Sequence, residues 1–238
     1  MLNTVLFDLD GTLLFMSQDA FIERYLKLLA QKAAEYGFEP KTIIDALWQG
    51  TYAMIKNDGA ATNHNRFWHK FTEILGNDIL TYEPMFNQFY VQEFDQARAV
   101  TTENPLAKEA IDLLKAKGYT VALATNPLFP PVAQRTRLSW IGLKPEDFAY
   151  LTHYENSHYC KPNPNYFREV LKVLGKQPGE CLMVGNNVVE DMCAKELGMQ
   201  VYLVNNYIEN DNEEARAQLP QGSFAELMEY LRVLPDLS

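Results

Sequence analysis

Four times along the chain a short apolar, β-rich run stops abruptly at a polar cluster. Thr4-Val5-Leu6-Phe7 meets Asp8-Leu9-Asp10-Gly11-Thr12, and the run from Tyr119 to Ala124 meets Thr125-Asn126-Pro127. Cys181-Leu182-Met183-Val184 meets Gly185-Asn186-Asn187, and Val201-Tyr202-Leu203-Val204 meets Asn205-Asn206. Unbroken apolar runs of about four to eight residues suit strands covered on both faces, as in a parallel sheet. Helical spacings lie between them. Ala107 to Lys117 carries Ala110, Ile111, Leu113 and Leu114 and is followed by Gly118. Asn165 to Leu174 is closed by Gly175, Val188 to Leu197 by Gly198, and Phe224 to Leu231 reads as a last helix. Glycine just past the last apolar position ends a helix because it takes a positive φ without a Cβ clash. Strand, helix, strand alternation predicts an α/β fold, a parallel sheet with helices on both faces.

Residues 17–95 break the alternation. Ala20 to Tyr36, Thr42 to Lys56, Asn65 to Leu75 and Glu83 to Phe94 all read as helices, with no strand signal among them. Four helices inserted after the first strand form a small all-helical unit, either packed on the sheet or standing as its own bundle. Hydrophobic residues make up 47% of the chain and charged residues 22%, which is globular and not disordered. The formal net charge of −10 disfavours general nucleic-acid binding, which needs cations facing phosphates. Asp8 and Asp10 interrupt the first apolar stretch, so it does not read as a signal peptide, and no membrane span is expected. Cys160, Cys181 and Cys193 show no paired metal-ligand spacing, which fits a reducing, cytoplasmic setting. Oligomeric state is not legible.

In an open α/β sheet, ligands bind beyond the carboxyl ends of the strands. Asp8, Asp10, Thr125, Asn126, Asn186 and Asp191 all fall near such ends, and Lys161 follows a further short apolar stretch, Tyr150-Leu151-Thr152. Asp8 and Asp10 are two residues apart where a strand stops, so both carboxylates can face one cleft. Two close carboxylates repel and need a cation beside them, either Lys161 or a metal. Oxygen-rich donors without a His or Cys cluster favour a hard ion such as Mg²⁺. One carboxylate can then serve as nucleophile and the other as proton carrier. Thr125 can donate to phosphate oxygens, and Lys161 can neutralise charge on a transferring phosphoryl group. Singly, each residue has a plain reading: Asp-Gly is a turn, Thr-Asn a cap, a Lys before Pro a solvated cation. Elsewhere, His64, Arg66, His69 and Lys70 form the most polar-aromatic stretch of the helical insert with Phe67 and Trp68, and either contact a substrate or form an ordinary solvated face. Cys160 reads as an inert small side chain, and Glu209 to Glu214 as a solvated acidic loop.

As an ordered set, these motifs resemble the haloacid dehalogenase-like hydrolase superfamily. Its DxDGT motif is matched by Asp8-Leu9-Asp10-Gly11-Thr12, and its strand-ending Ser or Thr by Thr125. Its Lys-Pro is matched by Lys161-Pro162, and its Gly-Asp with a later Asp by Gly185-Asn186 and Asp191. The resemblance implies a Rossmann-like core over residues 1–16 and 96–238 with a helical cap over residues 17–95. It implies that Asp8 attacks phosphorus, that Asp10 moves protons to and from the leaving oxygen and water, and that Thr125 and Asn126 hold the phosphoryl group beside Lys161. It implies Mg²⁺ bound by Asp8, the Asp10 carbonyl, and Asn186 or Asp191. The implied reaction is hydrolysis of a small phosphorylated metabolite. A phosphomutase of the same superfamily shares these motifs. Asn186 departs from the family pattern, where Asp follows the glycine, and this motivates a further alternative, a catalytically weak binding or regulatory relative. Haloacid dehalogenases of the superfamily lack the second carboxylate of the first motif, so Asp10 points to phosphate chemistry.

Overall fold

The computed structural model describes residues 1–237. Its main sheet has six strands: β1 (Thr4–Phe7), β4 (Thr120–Leu123), β5 (Tyr150–Leu151), β6 (Cys181–Gly185), β7 (Gln200–Val204) and β8 (Gln221–Gly222). Their order is β5-β4-β1-β6-β7-β8, and every pairing is parallel. β1 sits in the middle, in register with both neighbours: Phe7 lies opposite Leu123 on one side and Val184 on the other.

Period-two alternation divides the core into two layers. Val5, Phe7, Val121, Leu123, Leu182 and Val184 point to one face. There they meet α5 (Leu106–Ala116) and α9 (Phe224–Val233), through Ile111, Leu114, Leu227 and Leu231. Leu6, Ala122, Met183 and Leu203 point to the other face and meet α7 (Pro164–Leu174) through Tyr166, Phe167 and Val170. The observed architecture is therefore the α/β sheet with helices on both faces that the apolar runs predict.

Four helices lie between β1 and β4: α1 (Gln18–Glu35), α2 (Pro40–Ile55), α3 (Asn63–Leu75) and α4 (Glu83–Val91). Ser17, Glu39 and Thr62 cap the first three by accepting backbone N–H groups at their starts. The apolar faces of this insert are rich in aromatics, and they join the core layer that Val5 and Phe7 face. A short antiparallel pair, β2 (Phe15–Met16) with β3 (Thr101–Thr102), ties the two ends of the insert together. Strands this short leave no periodicity, and neither was expected from sequence.

One expected helix is not formed. Val188 to Leu197 contains only a 3₁₀ segment, Met192–Leu197. The Asn187 side-chain carbonyl accepts the N–H groups of Val189 and Glu190, which closes a local turn in competition with helix initiation. Two helices that the sequence reading does not include are present: α6 (Pro131–Ser139) and the short α8 (Glu213–Arg216). Among the described residues, no helix is long and apolar enough to cross a membrane.

Candidate active site

The chain leaves β1 at Phe7 and turns sharply. The Gly11 N–H donates to the Leu14 carbonyl, and the Thr12 and Leu14 N–H groups donate to the Leu9 carbonyl. Gly11 takes a φ of +81° and lies flat against the Asn186 side chain, so a Cβ there would collide with it. Gly185 plays the same part at the end of β6, where a Cβ would strike Asp191. These close approaches bring the first and last motifs together. The Thr12 hydroxyl donates to Asn186 Oδ1 at 3.0 Å, and Asn186 Nδ2 donates to the Tyr207 carbonyl at 2.6 Å.

Lys161 is the hub. Its ammonium donates to Asp8 Oδ1 at 2.8 Å and to Asp191 Oδ1 at 2.6 Å, and its side chain is only 1% exposed. Burial opposes the Lys161 charge, but Asp191 and Asp8 outweigh it and hold the ammonium well above the usual lysine range. Asp8 Oδ2 has only a long contact, 3.5 Å, from the Thr12 hydroxyl. Asp191 Oδ2 accepts the Asn187 N–H at 3.0 Å, so both of its oxygens are engaged within the protein. Burial pushes the Asp191 carboxyl above its ordinary range, with Lys161 opposing.

Thr125 lines the cavity over the site, and its carbonyl is pinned by the hydroxyls of Thr152 at 2.7 Å and Tyr166 at 2.9 Å. Asn126 serves the neighbouring loops: its Oδ1 accepts the Lys161 N–H at 3.2 Å and its Nδ2 donates to Glu190 Oε2 at 2.9 Å. The structure thus gathers Asp8, Asp10, Thr125, Asn126, Lys161, Asn186 and Asp191 around one cavity.

Two residues of the site carry no motif. Arg137 of α6 is fully buried and pairs with Asp10 Oδ2. Its guanidinium also donates to Gln134 Oε1 at 2.5 Å and stacks over Phe129, 4.4 Å from the ring centroid. Asp10 Oδ1 is buried with no partner. Burial raises the Asp10 carboxyl from its ordinary range, opposed by Arg137 and reinforced by Asp8. The second residue is Glu209, which corrects the expectation of a solvated loop. Paired backbones at Asn187 and Glu209 turn it inward, and only the residues after it are solvent-exposed. It lines the same cavity, and burial, followed by Asp8, Asp10, Glu190 and Asp191, pushes it up to about 7.

His64, Arg66, His69 and Lys70 do not line this cavity. His64 pairs with Glu83 and packs edge-on against Tyr154, Arg66 pairs with Asp58, and His69 and Lys70 flank Glu73. Phe67 and Trp68, between them in sequence, face the cavity instead. Cys160 is buried, and its thiol is pushed up to about 12, which leaves it inert as a nucleophile.

The strand-end carboxylate clamped to a buried lysine lies at the carboxyl edge of a parallel α/β sheet, where such folds bind their ligands. The sequence matches the family model for haloacid dehalogenase-like hydrolases over residues 2–198, and the chain belongs to that family. A curated relative, pyrophosphatase PpaX of Bacillus cereus, is 26% identical over 186 residues, covering 78% of this chain and 75% of the relative. The HAD phosphatase of Thermococcus onnurineus superposes with a TM-score of 0.62 at 21% identity, covering 97% of this chain and 98% of that one. The 2-haloacid dehalogenase of Pseudomonas syringae pv. Tomato DC3000 also gives a TM-score of 0.62, at 22% identity, covering 98% of this chain and 99% of that one. Fold likeness is thus equal for a phosphatase and a dehalogenase, and the residues of the site have to separate them.

Proposed function

We propose that the protein is a Mg²⁺-dependent phosphatase that hydrolyses a small phosphomonoester through an aspartyl phosphate on Asp8. The observation that carries this reading is the Lys161 clamp on Asp8 beside a second acid, Asp10, on the same turn. Lys161 holds Asp8 Oδ1, so Asp8 Oδ2 is the oxygen left to attack phosphorus. Arg137 fixes Asp10 through Oδ2, which leaves Oδ1 to give a proton to the leaving oxygen and later take one from water. A carboxyl raised above its ordinary range by burial suits that acid role. Thr125 supplies a donor to the phosphoryl oxygens. Asn126 holds the Lys161 backbone in place.

The donor set fits a hard cation. Five carboxylates, Asp8, Asp10, Glu190, Asp191 and Glu209, surround the cavity, with Lys161 and Arg137 as the cations beside them. Asp8, the Asp10 carbonyl and Asn186 Oδ1 would hold Mg²⁺, with Glu209 adding charge that Asn186 lacks. When bound, the ion offsets negative charge on the phosphoryl oxygens. Asp191, named among the metal ligands from sequence, is assigned here to orienting Lys161, with which it is ion-paired at 2.6 Å. Residues 17–95 serve as a cap over a core of residues 1–16 and 96–238, and the substrate enters between them as a small phosphorylated metabolite.

The test is hydrolysis of 4-nitrophenyl phosphate with Mg²⁺ and with EDTA. The reading expects turnover with Mg²⁺ that EDTA abolishes. Release of halide from a 2-haloacid, without phosphatase activity, would overturn it.

A further inference from the structure

The cavity above Asp8 holds about 270 Å³ and has two unlike ends. Its floor is the polar site. Its wall comes from the helical insert and is apolar and aromatic: Phe21 and Tyr25 from α1, Trp48 from α2, Trp68 and Phe71 from α3, and Tyr90 from α4. The Tyr25 and Tyr90 hydroxyls bond to each other at 2.9 Å. Gln18, Thr51 and Asn87 are the other polar side chains the insert contributes to it.

Charge is equally one-sided. Among the described residues, no arginine or histidine lines the cavity, and Lys161, its one lining cation, is committed to Asp8 and Asp191. A second phosphate or a carboxylate on the leaving group would meet no cation on this wall and would be desolvated without compensation. A sugar would find few partners for its hydroxyls beyond Gln18, Thr51 and Asn87. An apolar ring would replace water against aromatic faces, which is the favourable exchange here.

We infer that the enzyme acts on the phosphomonoester of an apolar, ring-bearing alcohol, and not on pyrophosphate, a sugar phosphate or another substrate whose leaving group carries a second anionic group. The inference rests on the phosphatase reading and selects among its substrates. It also weighs against a phosphomutase, whose sugar would find few hydrogen-bond partners on this wall. PpaX is named as a pyrophosphatase, and a wall without a cation for a second phosphate argues against that activity in this chain.

The test compares kcat/KM with Mg²⁺ for 2-phenylethyl phosphate, glycerol 3-phosphate and pyrophosphate. The first two release primary alcohols, so their intrinsic leaving abilities are close, and the wall decides between them. Each methylene filling an apolar pocket is worth about 10–200-fold, so 2-phenylethyl phosphate should exceed glycerol 3-phosphate by at least about 100-fold. Ile22→Gln and Trp48→Ala change wall residues that are half-buried and exposed, respectively, so folding should tolerate both. Each should lower the ratio by about 10-fold. Equal or faster hydrolysis of glycerol 3-phosphate or pyrophosphate, or an unmoved ratio in both variants, would overturn the inference and leave the phosphatase reading standing. No turnover of any of the three, nor of 4-nitrophenyl phosphate, would overturn the phosphatase reading itself.

Discussion

Arg137→Met is the perturbation that most sharply separates a positioned proton carrier from an incidental ion pair. Methionine fills much of the same volume, so the change removes charge more than packing. Arg137 is fully buried, and its partner Asp10 keeps 18% side-chain exposure. Breaking a buried pair from one side costs about 3–5 kcal/mol, because the remaining charge is stranded. Residual water access to Asp10 places this case near the lower end, at about 3 kcal/mol. In a chain of this size each 1 kcal/mol moves Tm by about 2–4 °C, so a fall of about 6–12 °C is expected. Urea denaturation at pH 7 gives the free energy directly. The companion measurement is the double variant Arg137→Met/Asp10→Asn. Without the stranded carboxylate, most of the loss should return, leaving a deficit of about 1 kcal/mol from the lost Gln134 and Phe129 contacts. The loss in the single variant should also shrink as pH falls and Asp10 protonates. A single-variant cost under about 1 kcal/mol, or no recovery in the double variant, would refute the claim that Arg137 pairs with Asp10 and fixes its position.

Three further outcomes follow from the same geometry. Lys161→Met strands both Asp8 and Asp191, so it should cost about 3–5 kcal/mol by urea denaturation and abolish turnover, and unchanged stability would contradict the clamp. In Mg²⁺ titrations of activity, Asn186→Asp should lower the half-maximal concentration, whereas Asp191→Asn should cut the maximal rate without moving it. A large Mg²⁺ shift in Asp191→Asn would return Asp191 to the metal. Glu209 sits near pH 7 in the fold and ordinarily near 4.5, so between these values the folded state binds the extra proton and stability falls as pH rises. Measured in EDTA, Glu209→Gln should therefore match the parent below about pH 4.5 and exceed it above about pH 7, and a variant less stable at pH 8 would reverse the sign.

What the sequence discloses and what it hides divide along physical lines. β1, β4, β6 and β7 are legible because strands buried on both faces must be apolar throughout and must stop where the chain turns to water. The turn residues Asp8, Gly11, Asn186 and Asp191 are legible because their spacing from those stops is fixed. Arg137 is not legible in the same way, because its role depends on a tertiary partner, Asp10, which lies far away in sequence. A signal exists all the same: Ala133, Gln134, Arg137 and Leu138 form the buried face of α6, so Arg137 is a charge placed on an inward stripe, while Arg135 faces out. Glu209 carries no such signal. It stands first in an acidic loop whose later members are solvated, and only the backbone pairing with Asn187 turns it inward. The 3₁₀ segment at Met192–Leu197 has helical periodicity without forming an α-helix, because Asn187 supplies bonds that compete with the helix. In the insert, the aromatics that line the cavity and those that pack the core have the same spacing, so the cavity wall is visible only in the fold.

Covalent capture on Asp8 tests the central claim most directly. Enzyme mixed with ³²P-labelled 4-nitrophenyl phosphate and Mg²⁺, then quenched in acid within the first turnover, should retain label on the peptide that contains Asp8. Asp10→Asn should retain more of it, because water attack on the acyl phosphate is slowed, and Asp8→Asn should retain none while remaining folded. Turnover at the parental rate in Asp8→Asn, or label carried on any other residue, would contradict the account.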